Sequence, residues 1–282
     1  MAEDARWTER ADTFRRLHDG PGVLRLANAW DHLSARVFAL AGAPALGTSS
    51  FAVALANGYA DGENIPWARV REVVASIVGA VDVPVSVDVE AGQGEAPDAV
   101  ASAVADVVSA GAVGINLEDG NPTAPGALFD VAAQSARIAA ARAGGGNGLF
   151  INARCDVWFG ADLADDERLD DGLRRARGYL DAGADGVFFP GLVDLDTLRT
   201  VVAELAPAPV NVMLWPGLPQ VEQLEAAGVR RLSQGGSSFL VATGALEAMT
   251  RRFLEDEPER FGADTVPAFH LIPALAAPAP AR

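Results

Sequence analysis

Eight short apolar runs, each followed by a helical pattern, recur along this 282-residue chain at intervals of roughly 25 to 35 residues. They are GVLRLANAW (22–30), ALGTSS (45–50), PVSVDVE (84–90), VGINLED (113–119), LFINARCD (149–156), GVFFPG (186–191), PVNVML (209–214) and RRLSQGG (230–236). Most of these runs stay uncharged until their C-terminal end, as strands of a parallel sheet buried on both faces do. Four of the helical segments close on a small-residue turn (AGA, SAGA, AGA, AAGV) before the next run. This alternation predicts an α/β fold, a parallel eight-stranded (β/α)8 TIM barrel. An open doubly wound sheet would carry a glycine fingerprint after its first strand, and NAWDHLSA is not one. A single barrel domain is expected over residues 1–256. The Pro- and Ala-rich stretch 257–282 reads as an irregular C-terminal arm.

All 22 basic residues are Arg, and the chain has no Lys. Schiff-base chemistry of the aldolase or pyridoxal type is thereby excluded, because both need a lysine amine. The formal charge, 22 − 38 = −16, argues against nucleic acid or an anionic membrane surface as partner. A lone Cys155 rules out an intramolecular disulfide or a Cys-rich zinc cluster and fits a reducing compartment. The N-terminus is too charged for a signal peptide, and no apolar run approaches the ~20 residues of a membrane span. A cytoplasmic location is expected.

In a (β/α)8 barrel, chemistry sits at the C-terminal ends of the strands and in the loops beyond them. Those ends carry Trp30; Ser49 and Ser50; Asp88 and Glu90; Glu118 and Asp119; Arg154 and Asp156; Gly191; Trp215; Gln234 and Gly235. Asp88 and Glu90 lie two apart on a strand and so share a face. Carboxylates converging there repel one another unless a cation lies between them. An all-oxygen donor set suits Mg2+, with Mn2+ as the alternative, rather than Zn2+. Of the three histidines only His32 falls near a strand end, where it reads more simply as a surface residue opening a helix. Asp119 and Asp156 read as helix caps. Arg154, flanked by Ala153 and Cys155, needs a carboxylate partner: either an ion pair with Glu118 or the anionic group of a substrate, the second being favoured. Cys155 should face away from Arg154, as packing. Two loops offer backbone N–H groups to an anion, 49–51 and 235–237. The stretch FAVALANGYADGEN (51–64) reads as a long loop, with Asp61 on a candidate lid.

Together these residues resemble the isocitrate lyase/phosphoenolpyruvate mutase superfamily. NAWDHLSAR (28–36) is similar to its first-strand signature and TSSFAVALANGYADG (48–62) to its carboxylate-binding turn and following loop. PVSVDVEAGQG (84–94) resembles its D-x-D-x-G-x-G metal strand, GAVGINLEDG (111–120) its G-x-x-G-[IL]-x-[IL]-E-D strand, and INARCD (151–156) its A-R-[TV]-[DE] strand. The resemblance implies a barrel whose last helix is exchanged between subunits of a homo-oligomer, a dimer or tetramer, with Mg2+ held largely through water. Carried over, Asp61, Asp88, Glu90 and Glu118 fall on metal positions, Ser49, Ser50 and Phe51 on the carboxylate turn, and Arg154 on the substrate arginine. Trp30, Asp88 and Arg154 join that turn as substrate-binding candidates; Arg154, Asp61 and Glu118 are the catalytic ones.

Departures from the pattern shape the expected reaction. The lyases' K-[KR]-C-G-H loop after the fourth strand is replaced by GNPTAPGALFDV (120–131), without Lys, Cys or His. Gly191 and Met213 stand where tricarboxylate-cleaving members carry Glu and Asn, and Gly47 replaces a tyrosine. The expectation is a Mg2+-dependent lyase or decarboxylase that cleaves a carbon–carbon bond in a small 2-oxo or 2-hydroxy carboxylic acid, dicarboxylates included, through an enolate. P–C chemistry of the phosphonopyruvate type is the alternative within enzymes. A degenerate member binding 2-oxo acids without turnover is the alternative outside them.

Overall fold

The computed structural model describes residues 2–255 and 269–277. Its strands are β1 (Leu24–Ala29), β2 (Leu46–Thr48), β3 (Val85–Asp88), β4 (Gly114–Glu118), β5 (Phe150–Arg154), β6 (Gly186–Phe188), β7 (Val210–Met213) and β8 (Arg231–Ser233). They pair in chain order, all parallel, and β8 closes on β1. The expected TIM barrel is the fold.

The helices are α1 (Ala2–Asp19), α2 (His32–Leu40), α3 (Ser50–Ala56), α4 (Trp67–Ala80), α5 (Pro97–Ser109), α6 (Val131–Gly145), α7 (Arg168–Asp181), α8 (Leu195–Leu205), α9 (Val221–Ala226), α10 (Ser237–Leu254) and α11 (Ile272–Ala276). Val85, Val87, Ile115, Leu117, Ile151, Ala153, Val210 and Val212 are buried in the shell between strands and helices. The alternate positions carry polar groups that meet across the barrel. Asn152 Nδ2 donates to Asn116 Oδ1 at 2.9 Å and to Asn211 Oδ1 at 3.1 Å, and Arg231 Nη2 donates to Asn116 Oδ1 at 3.2 Å. The strands thus place apolar side chains against the helices and polar ones inside, which builds a hydrogen-bonded floor beneath the strand ends.

Two elements differ from expectation. Residues 50–56, read as part of a loop, form α3: the Ser49 side chain accepts from Ala52 N at 3.3 Å and caps a run of good helix formers. Within the C-terminal arm, α11 forms a helical turn against α2, where Arg36 Nη2 donates to the Ala274 carbonyl. The remainder of the arm lies outside the described residues.

α10 buries none of its residues, and Val241 and Leu246 are 73% and 59% exposed. Beside it the flank of β8 and β1 is open: a cavity of about 540 Å³ is lined there by Arg25, Ala27, Phe38 and Leu232. No helix among the described residues is long and apolar enough to cross a membrane.

Candidate active site

The strand ends open into a cavity of about 280 Å³. Its walls include Ser49, Ser50, Phe51, Asp61, Asp88 and Arg154 from the expected set, so residues up to 105 positions apart in sequence (154 − 49) meet in one space. Ser50 Oγ donates to Asp88 Oδ2 at 2.9 Å, and Thr48 Oγ1 accepts from Asp88 N at 2.8 Å. The Asp88 carboxylate is therefore held by Ser50 at the start of α3, and its backbone N–H by Thr48 of β2.

Glu90 and Glu118 lie behind this wall and are not part of the lining. Glu90 is buried in a left-handed backbone conformation (φ +54°), and its side chain accepts from Glu63 N. A non-glycine residue there costs about 1 kcal/mol, which the surrounding loop must offset. Arg137 of α6 holds that loop: it donates to the carbonyls of Ala91, Gly94 (2.8 Å) and Glu95 (2.6 Å) and lies over the Phe129 ring. Burial, with the charges of Asp88, Asp61 and Glu63, pushes the Glu90 carboxyl up to about 8. Crowding by protein and the Asp88 charge likewise raise Asp61, on the loop at the cavity mouth.

Arg154 does not stand free for a substrate. Nε and Nη2 donate to Asp156 Oδ1 (2.7 Å) and Oδ2 (2.9 Å), and Nη1 pairs with Glu118 Oε2 at 2.5 Å. The ion pair with Glu118 therefore exists, and a second carboxylate shares the cation. Burial opposes its charge, but Asp156 and Glu118 outweigh this and hold the guanidinium more firmly protonated than usual. Burial raises Asp156 to about 6 and Glu118 well above the ordinary carboxylate range, each against the pull of Arg154. Of five guanidinium N–H groups three are used, which leaves two, one on each Nη, for a ligand.

Asp119 and Asp156 are not the solvent-exposed caps expected of them. Asp119 is fully buried, accepting from Asp156 N (2.9 Å), Tyr179 Oη (2.7 Å) and Arg175 Nη1 (3.2 Å). Its side chain faces outward under α7 and anchors the turn that returns Asp156 to Arg154. Cys155 is buried in the shell core, as expected of packing. Trp30 is not among the residues lining the cavity; its ring packs edge-on against Phe38 and Phe239.

The sequence reading missed Asn28, Thr48, Asn116, Phe159, Phe188 and Ser233, which also line the cavity. For Asn28, Thr48, Asn116 and Ser233 the signal was alternation within strands such as INLE, where a polar residue falls on the inward face; the apolar Phe159 and Phe188 carried no such signal. Asn28 Oδ1 accepts from Gln234 N (2.9 Å) and Gly235 N (3.0 Å) and so ties the loop after β8 to β1.

Among the described residues no three Asp, Glu, His or Cys side chains close into a direct metal-ligand cluster. The donors fit an ion that keeps most of its own water, as Mg2+ does when one or two carboxylates bind it. Asp88 and Asp61 face the cavity; Glu90 and Glu118 lie behind it, where burial favours their protonated forms and a bound cation would favour the ionised ones.

A barrel with acidic strand ends on β3 and β4, a serine turn after β2 and an arginine on β5 defines an enzyme class, and sequence comparison agrees. The profile of the phosphoenolpyruvate phosphomutase family matches residues 14–254, and the chain belongs to that family, within the isocitrate lyase/phosphoenolpyruvate mutase superfamily of lyases and mutases. Two solved proteins of Burkholderia cenocepacia J2315 are close in fold. A candidate phosphonomutase is 46% identical (TM-score 0.81, covering 86% of this chain and 99% of its own). A candidate lyase/mutase is 35% identical (TM-score 0.88, covering 97% and 98%). The uncharacterized protein Rv1998c of Mycobacterium tuberculosis is 36% identical over 227 residues, 80% of this chain and 83% of its own. More distant relatives are a 2-methylisocitrate lyase of Bacillus subtilis (26%, covering 86% and 80%) and an oxaloacetate decarboxylase of Rhodopseudomonas palustris (28%, covering 85% and 83%). A phosphonopyruvate hydrolase of the same fold (22% identical, TM-score 0.82, covering 94% of each chain) was solved with oxalate and Mg2+.

Proposed function

We propose that this protein is a Mg2+-dependent lyase or decarboxylase that breaks a carbon–carbon bond in a small 2-oxo or 2-hydroxy carboxylic acid and leaves an enolate. The observation that carries this reading is the convergence of Asp61, Asp88, the Ser49–Ser50 turn and Arg154 on one cavity.

In that site Asp88 and Asp61, with Glu90 and Glu118 acting through water, would hold the ion. Bound there, Mg2+ would supply positive charge to the oxygen that becomes an enolate, worth several kcal/mol of barrier. The chain's own residues do the rest. The Ser49–Ser50–Phe51 turn and the two free N–H groups of Arg154 orient the carboxylate. Glu118 and Asp156 fix the guanidinium in place, Glu118 as a positioning residue rather than one touching substrate. Asp61, at the mouth, is the cavity-facing carboxyl we assign to proton handling and closure.

P–C bond chemistry is the second reading, favoured by the 46% identity to a candidate phosphonomutase. We further infer a homo-oligomer in which α10 of one copy covers the open β8–β1 flank of another, since α10 buries none of its residues and leaves Val241 and Leu246 exposed beside that flank. Following pyruvate by NMR over oxaloacetate, malate-type acids and phosphonopyruvate separates the reactions. Pyruvate from a C–C substrate supports the main proposal, whereas pyruvate and phosphate from phosphonopyruvate alone support the second. Binding of 2-oxo acids with no turnover of any would make the protein a binder. In a Mg2+-dependent thermal-shift screen, an Asp88→Ala variant responding like wild type would remove the metal from the site.

A further inference from the structure

In a closed eight-stranded barrel, strands four apart in the order face one another across the axis, so β2 and β3 oppose β6 and β7. The polar wall of the cavity is built on the first pair: Thr48, Ser49, Ser50 and Asp88. The facing wall is apolar. Phe188 ends β6, Met213 ends β7, Leu214 and Trp215 follow it, and Phe159 comes in from the loop after β5. The Phe159 and Trp215 rings meet edge to face at 5.4 Å, so this wall is a packed surface and not a scatter of single side chains.

Charge points the same way. Arg154 is the one cation lining the cavity among the described residues, and two carboxylates already share it. Asp61 and Asp88 add negative charge to the lining. Phe159 and Phe188 lie over the Arg154 guanidinium at 5.1 and 6.0 Å. Once the head carboxylate takes the two remaining N–H groups of Arg154, a second carboxylate would meet only this apolar wall. Nor can a polar side chain be added at Gly191, beside that wall: a Cβ there would lie 2.3 Å from the Trp158 carbonyl oxygen, with φ at +79°.

We propose that the substrate is a 4-hydroxy-2-oxo monocarboxylic acid with an apolar tail on C4, its head at the Ser49–Ser50 turn and its tail across the barrel on Phe159, Phe188, Met213 and Trp215. Breaking C3–C4 leaves its electron pair in the pyruvate enolate, passes the C4 hydroxyl proton to Asp61 and releases the tail as an aldehyde. This rests on the reading of the cavity as a 2-oxo acid site and narrows it from dicarboxylates to tailed acids. Each methylene placed in such a pocket gains about tenfold in discrimination, and a desolvated second carboxylate gains nothing to offset its lost hydration.

The test is isothermal titration of the full chain in Mg2+ with oxalate, pyruvate, oxaloacetate, 2-oxo-4-methylpentanoate and 2-oxo-4-phenylbutanoate. The two tailed acids should bind about tenfold or more tighter than pyruvate and than oxaloacetate. Met213→Asn and Trp215→Ala should each pull the ratio of tailed acid to pyruvate towards one. Oxaloacetate binding as tightly as the tailed acids in the wild-type protein overturns the tail assignment and leaves the 2-oxo acid site standing. Absence of saturable binding by all five acids, oxalate included, overturns the underlying site as well.

Discussion

The Arg154 guanidinium meets the Asp156 carboxylate through two parallel bonds, Nε to Oδ1 at 2.7 Å and Nη2 to Oδ2 at 2.9 Å, although only Cys155 separates them in the chain. The backbone makes this possible by leaving β5 for a single 3-10 turn, Asp156–Trp158, which brings the carboxylate back over the strand end. The fork-to-fork geometry fixes the guanidinium plane. The arginine proposed to meet the substrate carboxylate is therefore held in position before any ligand arrives.

Removing one carboxylate of a buried pair leaves an uncompensated charge. Asp156→Ala should cost about 3 kcal/mol, the low end for such pairs because Glu118 remains. Urea denaturation at pH 7 measures it, and a cost below 1 kcal/mol would show that the pair does not constrain Arg154.

Asp119 holds Tyr179, Arg175 and the Asp156 backbone under α7. Asp119→Ala should destabilise by about 3–5 kcal/mol, and Tyr179→Phe by about 1 kcal/mol. The double variant should cost less than the sum of the two, since both remove one bond. Strict additivity in the cycle would argue against the shared network.

His18 is buried beneath the barrel, stacked on Phe150 at 4.1 Å between ring centroids, with Nδ1 2.8 Å from the Phe14 carbonyl. Burial, then the Arg231 charge, lowers its pKa to about 3. The native state therefore stays neutral where the unfolded chain takes up a proton, so stability is full above about pH 6.5 and is lost as pH falls towards 3. At pH 5 the loss from this group is about 2 kcal/mol. Comparing the pH 7 to pH 5 change in unfolding free energy between wild type and His18→Phe isolates it. Equal changes in the two proteins would refute it.

Gly191 has φ +79° and no room for a Cβ beside the Trp158 carbonyl. Gly191→Ala should destabilise by about 1–3 kcal/mol and alter the near-ultraviolet circular dichroism of Trp158. An unchanged spectrum with native stability would mean the loop yields freely.

Light scattering on the full chain should report a dimer or larger. Val241→Arg together with Leu246→Arg, on the exposed face of α10, should shift it towards monomer. A wild-type monomer at micromolar concentration would sink the proposed exchange of α10.

Much of this architecture was legible in the sequence. Charge-free strand runs, small-residue turns and helical periodicity are local signals, and they gave the barrel order through to β8. Asp88 and Glu118 were legible as strand-end acids, but Glu90 lies past the end of β3 with φ at +54° and does not continue the alternation expected to put it on the face of Asp88. FAVALA misled because the cap that starts its helix, Ser49, also reads as a loop residue. Asp119 misled because its partners, Tyr179 and Arg175, lie 60 and 56 positions further on.

From sequence alone came the eight-unit alternation, the exclusion of lysine chemistry and the candidate acids, each set by short-range propensity or by composition. Tertiary structure decided which carboxylates hold Arg154, which acids face the cavity, that the wall opposite the serine turn is apolar, and that α10 buries no face of its own. Those outcomes depend on distances across the barrel and between its layers. Such distances arise when non-adjacent strands close into a ring, and no local pattern encodes them.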